Sequence, residues 1–168
     1  MAFDKDFAMR MIEGLFDANL SRIARAADMA RFQFTYGIDT NPFMHLHIQS
    51  SYRLVSPDKT IVLASSDVFQ PNSDHEVNQD FDFIDFEWDV FGKNRFDEVV
   101  QNNLLPRLND FVVDAVDLSD LGDLKVGFTN GYYLEIYLDT SGEEECWRYL
   151  NTQDADIYLI VTGVGIEK

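Results

Sequence analysis

Cysteine is almost missing from this chain: Cys146 stands alone. One thiol excludes an internal disulfide and any zinc site built from cysteines. Long apolar runs are missing too. Nothing approaches eighteen consecutive apolar residues, so no helical span of a bilayer is expected. The N-terminus, MAFDKDFAMRMIEGLF, interrupts its apolar residues with acids, where a secretory signal needs an unbroken apolar stretch. There is no nucleophile elbow, Walker loop, dinucleotide glycine fingerprint or HExxH pair, which removes the enzyme classes built on those motifs. Gly163-Val164-Gly165 is too short to cradle phosphate. These absences lead to the expectation of a soluble cytoplasmic protein without a cofactor.

Basic residues are also scarce, and only in one part. Residues 1–66 carry seven Lys/Arg and seven Asp/Glu, while residues 67–168 carry six and twenty-three, so the second part holds the whole net charge of −17. Such a surface repels nucleic acid and anionic lipid and attracts cations or basic proteins. A basic protein partner is therefore expected, and nucleic acid and membrane are not.

What is present in quantity is aromatic. The chain is 46% hydrophobic and 14% aromatic, with fourteen Phe. Disordered chains lack that content, so this one folds despite its charge. Its 168 residues read as a single domain, 1–168, burying roughly 70% of the unfolded surface.

Phe7, Met11 and Leu15 recur every four residues, with Ile12 and Phe16 beside them, which predicts an N-terminal helix. Leu20, Ile23, Ala24 and Ala27 continue the stripe, as one long helix or two short ones. Asp4 fits an N-cap, and Asn19 a second. From Met29 the period is two: Phe32, Phe34 and Tyr36 predict a strand. His45 to Gln49 is a further strand running on towards Val55. Pro57 sets a turn at 56–59, and residues 60–64 return as a hairpin. Residues 67–80 read as a loop.

Residues 80–91, DFDFIDFEWDVF, alternate acid and apolar throughout. The apolar parity flips between Phe83 and Phe86, which implies a bulge near Ile84-Asp85. A row of carboxylates, Asp85, Glu87 and Asp89, is expected on an exposed strand face, with Phe86, Trp88 and Val90 buried. A short helix over 95–105 follows, stopped by Pro106. The remainder reads as strands at 111–116, 124–128, 132–138, 145–150 and 157–162. Between the second and third of these, a three-residue loop ending in Gly131 puts Leu124, Val126 and Phe128 on one face with Tyr132, Leu134 and Ile136. Glu135 then faces outward. The fold class is α+β: a mostly antiparallel β-sheet protein with an N-terminal helical segment and one short middle helix.

An echo links SYRLVS at 51–56 with CWRYLN at 146–151. It is either a duplication that sets two equivalent arginines on one sheet, or two hairpins in which each Arg packs on an aromatic and pairs with a local carboxylate.

Three segments resemble a family of uncharacterised bacterial proteins, found mainly in Gram-positive genomes. They are RAADMARFQF at 25–34, LHIQSSYRLVSPDKTIVLASSDVFQP at 46–71 and LKVGFTNGYYLEIYLDTSGEEECWRYL at 124–150. The shared skeleton is an aromatic-Arg hairpin followed by a sheet ending in Glu-x-Trp-Arg, here Glu145 to Arg148. Tyr52 stands where the family usually carries Trp. The family has no established activity, so the resemblance implies a bacterial, cytoplasmic, single-domain protein and no mechanism. Some similar small acidic proteins are immunity partners of toxins.

Two chemistries compete for attention. His45 and His47, two apart on a strand, point to one face and could start a transition-metal site, but no third ligand follows from the spacing. No bound metal is expected. Asp117, Asp120 and Asp123 surround Gly122, yet Ser119, Leu121 and Phe128 occupy places where a calcium loop needs ligands. The expected function is a non-enzymatic acidic interaction module, with Asp85, Glu87, Asp89 and Glu135 as the partner-binding residues. The alternative is a small hydrolase or metal-dependent enzyme around His45 and His47.

Overall fold

The structure, a computed structural model, describes residues 3–37, 41–76 and 86–167. Helix α1 (Lys5–Ile12) begins where the sequence places it: the Phe7 N–H donates to Asp4 Oδ1 at 3.0 Å, satisfying one of the helix's orphan donors. Ala8 and Ile12 face the core. A 3₁₀ turn, Glu13–Leu15, ends it.

The stripe from Leu20 to Ala27 is not helical. It forms strand β1 (Asn19–Ala26), hairpinned to β2 (Met29–Thr35), and Asn19 opens the strand instead of capping a helix. The cause is a bulge between Leu20 and Arg22. In a regular strand Leu20 and Ile23, three apart, would face opposite ways. The extra residue turns both inward, 1% and 3% exposed, and so gives a strand the spacing of a helix.

Strand β3 (Met44–Ile48) pairs with β2. The expected continuation to Val55 breaks at Gln49 and Ser50, whose N–H groups both donate to Cys146 O, at 2.8 and 3.0 Å. There the chain leaves one sheet and enters another as β4 (Ser51–Val55), which pairs with β5 (Ile61–Ala64) across the turn at 56–59. A 3₁₀ turn (Ser65–Phe69) and a single helical turn, α2 (Ser73–Glu76), follow where a loop is predicted.

Asp85 and the bulge expected near Ile84 lie outside the described residues. Residues 86–91 form turns, not a strand, so the carboxylate row does not extend through Glu87 and Asp89. Trp88 is half-buried against Phe69, 4.9 Å between rings, as its alternation requires, but Val90 is 43% exposed. The reason is long-range. Side chains, not a neighbouring strand, satisfy this backbone: Asn94 Nδ2 donates to Trp88 O at 2.7 Å, Arg25 Nη2 to Asp89 O at 3.1 Å, and Gly92 N–H donates to Asp97 Oδ2 at 2.8 Å.

Helix α3 (Arg95–Val99) is capped by Asn94, which accepts from Asp97 N–H at 2.8 Å. It does not stop at Pro106. It widens into a π-turn (Val100–Leu104) and then tightens into a 3₁₀ segment (Leu105–Asp110), with Pro106 in the first positions, where its missing N–H costs nothing. The rest is strand: β6 (Val113–Leu118), β7 (Leu124–Phe128), β8 (Tyr133–Tyr137), β9 (Glu145–Asn151), β10 (Asp154–Thr162) and a two-residue β11 (Gly165–Ile166).

The β7–β8 hairpin has the predicted register. Val126 pairs with Leu134 and Leu124 with Ile136. Gly131 sits at φ 84°, and its N–H donates to Phe128 O at 2.8 Å. The three-residue form wins because it collects the apolar side chains on one face, each worth roughly 1.5–3 kcal/mol when buried.

The strands form two sheets, ordered β1-β2-β3-β9-β10-β11 and β5-β4-β8-β7-β6, and every strand pairing is antiparallel. The fold is α+β. The sheets touch edge to edge through an Asn19–Val112 bridge, with Leu20 N–H donating to Phe111 O at 2.9 Å. Between them lies one continuous buried cluster, drawing Phe32, Phe34, Trp147 and Tyr149 from the larger sheet and Tyr52, Leu54, Phe128 and Leu134 from the smaller. Phe32 and Tyr52 meet edge to face at 6.0 Å.

Ala27 occupies the two-residue β1–β2 turn at φ 52°, a conformation that favours Gly. Ala27→Gly is expected to raise the unfolding free energy by about 0.5–1 kcal/mol. The urea midpoint should rise with an unchanged m-value; a lower midpoint would show that the turn carries no strain at Ala27.

Candidate functional site

The outward face of the larger sheet carries the two histidines. Its register sets Arg31, His47 and Arg148 in one row across β2, β3 and β9, and Gln33, His45 and Leu150 in the next. The rings of His45 and His47 lie 6.1 Å apart, so β3 brings them together as the spacing requires. What surrounds them is cationic. Burial, reinforced by His45 and by the Arg148 and Arg31 guanidiniums and opposed by Glu145, pushes His47 down to about 4. Burial and Arg31 also lower His45, whose Nε2 is buried without a hydrogen-bond partner. Both rings are therefore neutral at pH 7. No group of three or more His, Cys, Asp or Glu converges on a common point among the described residues, and guanidiniums flanking a histidine pair oppose a metal cation. Cys146 is buried, and burial is the main reason its thiol is pushed up, which suppresses the reactive thiolate.

The outward face of the smaller sheet is a charge ladder. Cross-strand pairing runs Arg53–Glu135, Glu135–Lys125 and Lys125–Asp117. Glu135 faces outward as expected, but it is not a free acid. Arg53 Nε lies 2.6 Å from it, Lys125 Nζ 3.6 Å, and Tyr137 donates its hydroxyl at 2.8 Å. Burial pushes the Glu135 carboxyl up, yet the hydrogen bonds from Arg53 and Tyr137 and the charges of Arg53 and Lys125 outweigh it and hold it below the usual range. Arg148 makes the corresponding local pair with Glu145, 2.6 Å from its Nε. Because β4 and β9 belong to different sheets, the echoed arginines do not share one surface. Each is engaged locally, Arg53 also stacking 5.5 Å from the Tyr137 ring.

Carboxylates gather at one end. The end of β6 brings Asp117 and the β6–β7 loop Asp120 and Asp123; the β8–β9 loop brings Asp139, Glu143 and Glu144. Leu138 N–H donates to Asp123 Oδ1 at 2.9 Å and so ties the two loops together. Trp147, on β9, fixes them to the core by donating its indole N–H to Gly122 O at 3.0 Å. Two lysines reach this group: Lys125 is the cross-strand neighbour of Asp117, and Lys5 Nζ lies 3.6 Å from Asp120, which is 97% exposed. Asp117, Asp123, Lys125 and Glu135 line a shallow depression of about 140 Å³, so Glu135 adjoins this acidic end although it is itself paired.

Of the other residues named from sequence, Glu87 is exposed, and Asp89 is taken up by Arg25, 3.3 Å away. Sequence reasoning did not find the ion pair beneath it. Arg25 Nε and Nη2 each donate to a different oxygen of Asp97 at 2.9 Å. The partners lie 72 positions apart, so no local pattern announces them. Comparison with family models, curated proteins and solved structures finds no match to this chain.

His47 generates a pH prediction. Between about pH 6.5 and 4 the unfolded chain binds a proton at this residue that the folded chain does not. Stability contributed by the neutral ring is thus full above pH 6.5 and falls through that window on acidification. His47→Gln should lose less stability than the native chain between pH 7 and 5 in matched urea titrations, and the His47 ring signals should titrate near 4 in NMR. A midpoint near 6.5 with parallel stability curves would contradict the cationic surround.

Proposed function

We propose that this chain is a non-enzymatic interaction protein of the bacterial cytoplasm that offers its acidic loop end to a basic protein. The observation that carries the reading is the distribution of charge. On the face of the smaller sheet carboxylates and cations neutralise one another, as in the ladder through Glu135, while Asp139, Glu143 and Glu144 on the β8–β9 loop have no cationic partner among the described residues. A one-signed group of exposed charges steers an oppositely charged partner more than it stabilises the fold. The resemblance to uncharacterised Gram-positive proteins supports the bacterial, cytoplasmic setting, and an immunity-type or regulatory role fits a partner of this kind. No helix among the described residues is long and apolar enough to cross a membrane. The enzyme alternative at His45 and His47 gains no support from two neutral rings between guanidiniums.

The test is retention from an extract of the host on the immobilised chain. A basic protein held at about 50 mM salt should leave at about 500 mM, since screening acts within a Debye length. Asp117→Asn, Asp120→Asn and Glu143→Gln together should slow its association several-fold. A partner indifferent to both salt and these substitutions would contradict the proposal.

A further inference from the structure

One cavity of this acidic chain sets three arginines, Arg22, Arg25 and Arg31, against two acids, Asp89 and Asp97. A space of about 510 Å³ lies along β1, walled on one side by Arg22, Ala24 and Arg31 and on the other by Phe91, Phe96, Val100 and Leu105. That volume falls in the range of natural ligand sites. We propose that this groove binds an acidic peptide in extended form, added to β1 as a further strand of the larger sheet. The surface is separate from the loop end described above, and its three arginines outnumber its two acids.

Four observations support it. First, β1 is an edge strand. Beyond its opening contacts at Asn19 and Leu20, it pairs with β2 on one side and, among the described residues, with no strand on the other. Its cavity-lining strand residues run from Arg22 to Arg25, about 10 Å of strand at 3.3 Å per residue. A small anion would fill a fraction of that length; a strand of about four residues fills it. Second, the two walls differ as the two faces of a strand differ. A peptide alternating carboxylate and apolar residues would point one set at the guanidiniums and the other at Phe96 and Val100.

Third, two of the cations are unspent. The Arg22 side chain makes no ion pair or hydrogen bond among the described residues, and the Arg31 side chain makes one weak bond, to Arg25 O at 3.4 Å, while its Nε is buried without a partner. The groove's own acids, Asp89 and Asp97, are both taken up by Arg25, which leaves Arg22 and Arg31 without a carboxylate partner among the described residues. Fourth, the apolar wall includes Val100 and Gln101 of the π-turn, a geometry that is rare in helices and recurs at functional sites. Edge strands also carry cations simply to deter aggregation. That accounts for Arg22 on the edge. It does not account for Arg31, one strand inside it, or for a cavity beside the edge.

The experiment uses the full chain and a fluorescein-labelled peptide, acetyl-Glu-Val-Glu-Val-Glu-Val-amide, followed by anisotropy at low salt. Saturable binding is expected. The Lys-Val counterpart should not bind, and a peptide of the same composition with its acids and valines segregated should bind at least about tenfold more weakly. Arg22→Ala with Arg31→Ala should weaken binding about tenfold or more, with circular dichroism and urea midpoint confirming that the variant is folded. Amide shifts on titration should centre on residues 22–27. Equal binding of the lysine peptide, competition by millimolar free glutamate, or affinity unchanged in the double variant would overturn the proposal.

Discussion

One buried ion pair holds the open side of this protein together. Arg25 and Asp97 are 8% and 2% exposed at their side chains and meet through two hydrogen bonds of 2.9 Å. Asp97 also accepts from Gly92 N–H, and its own N–H is held by Asn94, whose amide in turn holds Trp88 O. Arg25 reaches Asp89 and the Ala27 carbonyl. A single contact thus fixes the tip of β1, the turns at 86–92 and the start of α3. It is the hydrogen bond to Asp97, working against burial, that raises the Arg25 guanidinium above its ordinary value. Burying such a pair is no guarantee of net stability over an apolar pair of the same shape. Leaving one partner behind is costly, because its charge stays buried and unanswered.

The same economy of charge organises the surface. On the face of the smaller sheet cations lie between carboxylates or beside aromatic rings, as Lys125 does between Glu135 and the Tyr133 ring, 4.2 Å away. This keeps repulsion out of the strands, where close cross-strand neighbours would feel it most. The excess negative charge lies in exposed loops and towards strand ends, as at Asp117 and Asp154, where water and salt screen it. A chain of net charge −17 can therefore fold around an aromatic core without like charges facing each other across a ladder. The cost is a one-signed end, which is what a partner of opposite sign would meet.

How much of this could be seen in the sequence depends on how local its cause is. The β7–β8 hairpin was legible to the residue, because Gly131 and the parity of Val126, Phe128, Leu134 and Ile136 admit one register. The α1 cap at Asp4 was legible for the same reason. Strand β1 was not. Its bulge gives Leu20 and Ile23 a helical spacing, and its turn uses Ala27 where a glycine would have announced a hairpin. Residues 86–91 alternate like a strand, yet Arg25, Asn94 and Asp97 claim the backbone groups a strand would need. The histidine pair was placed correctly on one face, but the arginines beside it come from β2 and β9, and only the sheet order reveals them.

The most direct test of this account is a double-mutant cycle on Arg25 and Asp97, measured by urea unfolding. Arg25→Ala and Asp97→Ala should each lose roughly 3–5 kcal/mol. The double variant should lose less than the sum of the two, with a coupling of about 2 kcal/mol or more. Additive losses, or single losses below about 1 kcal/mol of the size seen for exposed pairs, would contradict the claim that this contact holds β1, the 86–92 turns and α3 together.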